Sequence, residues 1–429
     1  MSVTDEIKDR IDIVDFVSES VELRRAGRNF SGFCPFHHNV NTPSFVVFPD
    51  TQTWKCFGEC DQGGDLFSFA MKKEGWDFAE ALHNLADRAG VVLEPLTPAA
   101  REEKAEGEHL RDLLEDAVAF YRHNFQQTEE GKAAAAYLDS RGITTDTIEA
   151  FGLGYAPRGW DTALVHFRNK GYSIADLRDA GLISEKEEGK VYDRFRHRLM
   201  IPIRDRNGRM AGFGARVLNP DDMPKYLNSP QTPVFDKSRL LFGLDSARKH
   251  IRELDQVVIV EGYMGVIGPY QYGFRNNVAQ MGTALNEYQL RVLKKYTGKF
   301  IIAMDSDAAG QKATLRGLQI AREALDRSPE MVFDARGLLH QEGRLKADIR
   351  VLSLPPGMDP DDVTRQDPDL WRQLIDQAKP IVVHVMDTLT GDQNLDDPKV
   401  KSAIASQVLP LIDDLPNAIE RDTYLQRLS

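Results

Sequence analysis

The sequence predicts a multidomain α+β protein, with a small β module at its amino end, a mixed α/β core built on a mostly parallel sheet, and a helical C-terminal segment. Three stretches carry that prediction. Residues 301–310, IIAMDSDAAG, form an apolar run without alternation that ends in two aspartates one residue apart, the pattern of a central parallel strand covered by helices on both faces. All three cysteines lie between positions 34 and 60, among short alternating segments that read as β-strands. From Asp369 to the end the pattern is helical and acidic, without recognisable chemistry.

A chain of 429 residues, 41% of them hydrophobic, has room for about two to four domains with ordinary cores. No apolar run approaches a membrane span, and the first residues, MSVTDEIKDRIDIVDF, are acidic where a signal peptide is basic and then apolar. The expectation is a cytoplasmic protein with no membrane partner. An odd number of cysteines confined to one stretch argues for a metal site over a disulfide framework. The formal net charge of −12 excludes a protein that coats nucleic acid indiscriminately, because its overall field repels phosphate. Between Lys190 and His250, however, thirteen Lys and Arg face six Asp and Glu. Such a basic island suits a polyanion held in one chosen place, although a solvated face with local ion pairs accounts for the charge equally well.

In chain order, Thr4 is placed to cap a first helix, with Asp5 and Glu6 in its first turn and Ile7, Ile11 and Val14 along one side. Strands are expected around Ser44 to Phe48 and Thr53 to Cys56. Cys34-Pro-Phe-His37 and Cys56-Phe-Gly-Glu-Cys60 set two ligand pairs eighteen residues apart, and thiolate with imidazole in a closed tetrahedral set selects structural zinc. His38 is a possible replacement for His37, which has the better spacing. Phe30, Phe33, Phe45, Phe48, Trp54 and Phe57, interleaved with Arg24, Arg25, Arg28 and Lys55, make either a stacking surface for a single strand or simply the core of a small module. Residues 77–90 read as an amphipathic helix ended by Gly90, residues 101–110 as a polar linker, and 110–125 and 131–140 as further helices.

The basic island opens with a hairpin, RLMIPIRD and GRMAGFGARVL, turning at Asn207-Gly208. Arg194, Arg196 and Arg198 alternate and so share a face. Lys225, Asn228, Ser229 and Lys237 sit in a proline-stiffened loop suited to a triphosphate. A helix over 244–254 leads into VVIVEG, where Glu261 takes the terminal acidic place, and a further helix is expected from the Asp307 turn through Leu325. DIRVLSLPPGMDPDD then delivers Asp359, Asp361 and Asp362. If the strands ending at Glu261 and Asp305 are neighbours, Glu261, Asp305 and Asp307 converge at the carboxyl edge of the sheet, where ligands of such folds bind. Carboxylates so close require a cation, and hard oxygen donors suit Mg²⁺ or Mn²⁺ bound together with substrate phosphates. The competing account, that each acid caps the helix after its strand, explains neither the DxD repeat nor its twin.

Taken in order, Cys34-Pro-Phe-His37 with the later cysteine pair, RLMIPIRDRNGRMAGFGARVL, KYLNSPQTPVF, VVIVEGYM, MDSDAAG and PPGMDPDD resemble a bacterial DnaG-type DNA primase over the whole chain. The acidic sheet then corresponds to that family's Rossmann-like Toprim domain. The resemblance implies zinc on Cys34, His37, Cys56 and Cys60, and Mg²⁺ or Mn²⁺ on Glu261, Asp305 and Asp307, with Asp359 and Asp361 completing the pocket. It implies nucleotide and template contacts by Lys225, Tyr226, Asn228 and Lys237 and by a basic face of Arg194, Arg196, Arg198, Arg204 and Arg216. The implied reaction is synthesis of a short RNA primer on single-stranded DNA from ribonucleoside triphosphates, by a monomer. The expected domains are a zinc ribbon over 1–100, the linker 101–110, a basic subdomain over 111–245, Toprim over 246–362 and a helical subdomain over 363–429. A DnaB-type replicative helicase is the expected partner, with its binding domain absent from this chain. Two positions depart from the family pattern: Gly265 stands where an aspartate is usual, and three residues rather than two separate Cys56 from Cys60. A Toprim nuclease or topoisomerase is the rival catalytic reading, but the first leaves KYLNSPQTPVF unexplained and the second lacks a domain to present a tyrosine nucleophile. A noncatalytic zinc-dependent strand-binding protein is the rival outside enzymes.

Overall fold

The structure, a computed structural model, describes the chain except residues 1, 38–41, 75, 77, 94–97, 187–188, 220, 283–284, 305–326, 334–338, 346, 392, 416 and 429. The chain divides into two compact units, Met1–Glu103 and Lys104–Ser429.

In the first unit Ser2, not Thr4, caps helix α1 (Val3–Arg10): its hydroxyl accepts from the Asp5 amide, and the Asp5 carboxylate accepts from the Ser2 amide. Thr4 already lies inside the first turn, whereas Ser2 stands three residues before an acid, the spacing of a capping box. Asp12 caps a separate helix, α2 (Ile13–Ser18), so the expected single stripe divides. Ile7 and Ile11 enter one core, whereas Val14 packs against another. Five short strands, β1 (Arg24–Ala26), β2 (Asn29–Gly32), β3 (Phe45–Phe48), β4 (Thr53–Cys56) and β5 (Gly63–Asp65), form an antiparallel sheet in sequential order. Helices α3 (Leu66–Glu74) and α4 (Phe78–Ala89) follow, and Phe69 of α3 packs against the stacked Phe45 and Trp54 with ring centroids 5.9 and 6.0 Å away. The aromatic residues thus divide in function: Phe45 and Trp54 are core, while Phe33 and Phe57 face solvent.

Helix α5 (Pro98–Gln127) contains the whole of the expected linker, 101–110, whose polar composition is that of a solvent-facing helix. The second unit continues with α6 (Gly131–Ser140), α7 (Thr145–Phe151), β6 (Gly154–Ala156), α8 (Thr162–Asn169), α9 (Ile174–Asp179), β7 (Ile183–Glu185) and β8 (Val191–Asp193). Asp161 makes no side-chain cap on α8; instead Asp193 reaches across from β8 and accepts from the Ala163 and Leu164 amides at 2.7 and 2.8 Å. Strands β9 (Arg198–Arg204) and β10 (Met210–Val217) form the hairpin, and Gly208 takes φ +82 at its turn. With β11 (Tyr226–Asn228) they build an antiparallel sheet in the order β11-β10-β9-β6.

The second sheet uses β12 (Val257–Val260), β13 (Asn277–Ala279), β14 (Lys299–Met304), β17 (Asp348–Ser353) and β18 (Lys379–Pro380), while β15 (Arg327–Phe333) and β16 (Leu339–Leu345) pair with each other. Its order is β13-β12-β14-β17-β18, the first four parallel and the last antiparallel. Among the described residues the unit also contains helices α10 (Leu244–Leu254), α11 (Met264–Gln271), α12 (Glu287–Lys294), α13 (Pro360–Gln366), α14 (Pro368–Asp376), α15 (Ile381–Thr390), α16 (Pro398–Asp413) and α17 (Ala418–Leu428). Val257, Ile259, Phe300 and Ile302 join a core with α10, α12, α15 and α16. Val258, Val260, Ile301 and Ala303 join another with α6, α11 and the antiparallel sheet. Both faces are covered, and that is why the run before Asp305 does not alternate.

Candidate active site and zinc centre

Beyond β2, Cys34 meets Cys56 at the end of β4. The Sγ atoms of Cys34 and Cys60 are 3.7 Å apart, and Cys56 Sγ lies 3.8 Å from His37 Nδ1. All four donor atoms lie within 4.8 Å of one another. A tetrahedron with Zn–S bonds of about 2.3 Å has edges of about 3.8 Å, so the spacing is that of four ligands around one ion. Burial, reinforced by Cys60 and Cys56, pushes the Cys34 thiol up to about 12; the thiolates need a cation to share this space. The long Cys56–Cys60 loop is tolerated because Gly58 turns it: its amide donates to Cys56 Sγ at 3.3 Å, and a Cβ there would stand 2.7 Å from Ser44 Oγ and 3.0 Å from His37 Nε2. His38 lies outside the described residues.

In the second unit, β12 and β14 are parallel neighbours with Ile259 level with Ile302. Glu261 follows β12 and is exposed, and β14 ends at Met304, one residue before Asp305. Asp305, Asp307 and the helix expected through Leu325 lie outside the described residues. Since β13 lies on one side of β12 and β14 on the other, the sheet order reverses here, which makes this carboxyl edge the ligand crevice of the fold.

Asp359, Asp361 and Asp362 offer carboxylate oxygens within 4.8 Å of one another at the start of α13. Asp359 is partly a cap, as the competing account required: it accepts from the Asp362 amide at 2.9 Å in a capping box. Asp361 is different. It is 2% exposed, its Oδ2 lies 2.7 Å from Arg141 Nη1, and its Oδ1 has no hydrogen-bond partner among the described residues. Burial and the Asp359 carboxylate push Asp361 up to about 6, against the pull of Arg141. A buried, unpaired carboxylate oxygen fits a hard divalent ion, and Asp359 and Asp361 are the residues of this cluster that would hold one; Glu261 is not among the acids gathered within 4.8 Å here. The departure at Gly265 has a packing reason: a Cβ there would lie 3.0 Å from Val260 Cγ2 and 3.3 Å from Pro360 Cγ. Helix α11 approaches α13 too closely for an aspartate to enter without displacing its neighbours.

Arg194, Arg196 and Arg198 line one cleft of about 410 Å³, together with Ser184, Tyr192, Pro224 and Leu227. Arg194 donates to the Asn228 carbonyl at 2.8 Å and Arg198 to the Pro224 carbonyl at 2.9 Å, so both brace the loop that carries Lys225. Arg196 stacks on Trp160 at 4.2 Å, Tyr192 lies edge-on to that ring at 5.6 Å, and Trp160 is 57% exposed. Arg204 stands apart from this cleft: it pairs with Glu115 of α5 and lines a separate small cavity with Phe242 and Asp245. Asn228 spends its amide on structure, accepting from the Tyr263 hydroxyl at 2.7 Å and donating to the Met281 carbonyl at 3.1 Å. Arg216 stacks on Tyr137 at 4.0 Å and lies 6.0 Å from the Tyr226 ring. Tyr137 in turn feels Arg141, Asp361 and Asp359, so basic and acidic surfaces adjoin there. Lys225 is exposed and Lys237 half-buried. Arg141, Tyr137, Trp160 and Tyr192 were not legible as site residues in the sequence; an exposed Gly-Trp in a loop was the one available signal.

A zinc ribbon in the first unit and, in the second, a parallel sheet with Glu261 at its carboxyl edge, an acid cluster at the start of α13 and an arginine-lined cleft are the parts expected of a metal-dependent phosphoryl-transfer enzyme of nucleic acid. Family models agree: residues 1–101 match the CHC2 zinc finger, 120–248 the N-terminal domain of the DNA primase catalytic core, and 255–329 the Toprim domain. The chain is 38% identical to a DNA primase of Clostridium acetobutylicum over 431 residues and 40% identical to one of Pseudomonas putida over 433. These matches cover all of this chain but 67% and 62% of those relatives. Among solved structures, it is similar to the zinc-binding and RNA polymerase domains of Aquifex aeolicus primase, with TM-score 0.60 and 30% identity over 100% of this chain and 96% of that one. It is also similar to a DnaG primase catalytic domain bound to single-stranded DNA, with TM-score 0.64 and 33% identity over 76% of this chain and 99% of that one.

The chain belongs to the bacterial DnaG-type DNA primase family and is a nucleotidyltransferase with structural zinc and a Mg²⁺ or Mn²⁺ catalytic requirement. A further expectation is overturned. Residues 383–429 match the DnaB-helicase binding domain of primase, so that domain is not absent. It spans most of α15 and all of α16 and α17, whose helical periodicity carries no ligand spacing or turn signature by which sequence reasoning could have told it from a plain helical subdomain.

Proposed function

We propose that this chain synthesises short RNA primers on single-stranded DNA from ribonucleoside triphosphates at the carboxyl edge of the parallel sheet. The observation that carries the reading is the adjacency of β12 and β14, which sets Glu261 next to the strand end preceding Asp305, at the point where sheet order reverses. A divalent ion held by Glu261, Asp305, Asp307, Asp359 and Asp361 would polarise the α-phosphate and lower the pKa of the attacking 3′ hydroxyl. Lys225 and Lys237 bind the triphosphate tail as point charges, while Arg216 is held in place by its stack on Tyr137. Asn228 positions that loop through its bonds to Tyr263 and Met281, with Tyr226 beside Arg216. The template runs through the cleft of Arg194, Arg196 and Arg198, where phosphates meet the guanidinium groups, and a base stacks on the exposed Trp160, which adjoins the cleft through Arg196 and Tyr192.

Helices α15 to α17 contact a DnaB-type helicase, consistent with the match over 383–429. The site of action is the bacterial cytoplasm at the replication fork; no helix of the described residues is long and apolar enough to cross a membrane. The test is incubation of the zinc-loaded chain with labelled ribonucleotides and single-stranded DNA, with and without Mg²⁺. Template-dependent RNA that appears only with the metal is expected; shortening of the DNA with no incorporation would replace this reading with the nuclease.

A further inference from the structure

A single nitrogen, Arg141 Nη1, faces three carboxylates at once. It lies 2.7 Å from Asp361 Oδ2, 3.3 Å from Asp359 Oδ2 and 3.6 Å from Asp362 Oδ1. The local sequence explains how they meet. Arg141 is the residue at which α6 ends, and the three acids occupy the cap and first turn of α13. A cation at a helix carboxyl end and anions at a helix amino end are each favoured by the helix dipole, so the two ends attract. Arg365 ties the same junction from the other direction, donating to the Ser140 carbonyl at 2.9 Å while paired with Asp362 at 2.7 Å. Asp361 cannot swing out of this contact, because α11 presses on it: a Cβ at Gly268 would lie 2.6 Å from Asp361 Cβ. The Asp361 side chain is 1% exposed and that of Arg141 23%, so the pair is held in a poorly solvated pocket where charges need partners.

We infer that Arg141 is the resident counter-ion of the α13 acid cluster and competes with the divalent ion for it. This deepens the assignment of Asp359 and Asp361 as metal ligands and rests on it. While Nη1 occupies the point where the three carboxylates converge, two of the oxygens a metal would take are engaged, and among the described cluster oxygens only Asp361 Oδ1, buried beside Gly268, has no partner. An ion entering this cluster displaces Arg141 from Asp361. An ion that arrives with nucleotide phosphates offers the guanidinium new oxygens, which Arg binds readily in a fork. Arg141 is therefore a positioning residue that links metal entry to nucleotide entry.

The experiment is a titration of the zinc-loaded full chain with Mn²⁺ in the absence of nucleotide, followed by the electron paramagnetic resonance signal of the free ion. It needs no turnover, so it gives an answer even if primer synthesis is not the activity. Arg141→Gln is expected to bind Mn²⁺ about tenfold or more tightly than the wild type, the direction set by removing a cation from beside the ligands. Arg141→Gln combined with Asp361→Asn is expected to lose that gain, and Arg141→Lys, which keeps the charge, to stay near the wild type. A merely structural Arg141 predicts the reverse, because a disturbed cluster binds less metal. Unchanged or weaker Mn²⁺ binding by folded Arg141→Gln overturns the inference. If Arg141→Gln does not fold, the same titration of Asp362→Asn decides it: a loosened Arg141 should give a gain of a few fold, and no gain overturns the inference.

Discussion

The zinc cluster and the α13 acid cluster each bring metal-ligating atoms within 4.8 Å of one another, yet they hold them there differently. In the zinc set the donors close on one another, Cys34 on Cys60 at 3.7 Å and Cys56 on His37 at 3.8 Å. At Asp359, Asp361 and Asp362, Arg141 supplies a positive charge from within the fold. A closed soft set depends on its metal for its shape, while an acid cluster with a built-in arginine keeps its shape without one and exchanges ions during work.

That contrast is broken most directly by removing metals. Chelation of zinc should unfold the β ribbon of the first unit, a loss on the order of 10 kcal/mol of binding energy; far-ultraviolet circular dichroism and limited proteolysis would report it. Removal of Mg²⁺ should leave both readouts unchanged. Zinc affinity should also fall as pH falls, since Cys34, raised to about 12 in the metal-free cluster, must give up its proton to bind. Equal zinc retention at acid and neutral pH would contradict this.

The acid cluster is sharpened by crowding rather than by chelation. Gly268→Ala forces its Cβ into Asp361 and should destabilise the second unit by about 1 to 3 kcal/mol in a denaturant titration. Asp193→Ala, at a residue in neither cluster, removes two amide partners from the start of α8 and should cost about 1 to 2 kcal/mol without changing metal binding. Trp160→Ala should change stability least, because the ring is exposed, while weakening single-stranded DNA binding by about 1 to 3 kcal/mol in a fluorescence titration.

Much of the fold was readable because local patterns and tertiary structure agree. The Asn207-Gly208 turn, the helices over 131–140 and 244–254, and the doubly covered run before Asp305 all follow from periodicity and turn chemistry. Sequence failed where one residue of register or one distant partner decides. Ser2 takes the cap from Thr4 by two positions, and Arg204 leaves the arginine face for Glu115, eighty-nine residues away. The zinc ligands were legible because their chemistry is local to two knuckles. Arg141 was not, since its meeting with Asp361 spans 220 residues and depends on how α6 and α13 abut.

The most direct test of the central claim is dinucleotide formation on a single-stranded template, with Mg²⁺, by the wild type and by Asp305→Ala, with circular dichroism confirming equal folding. Product from the wild type and none from the variant is expected. Undiminished product from a folded Asp305→Ala chain would contradict the placement of the catalytic centre at the carboxyl edge of the parallel sheet.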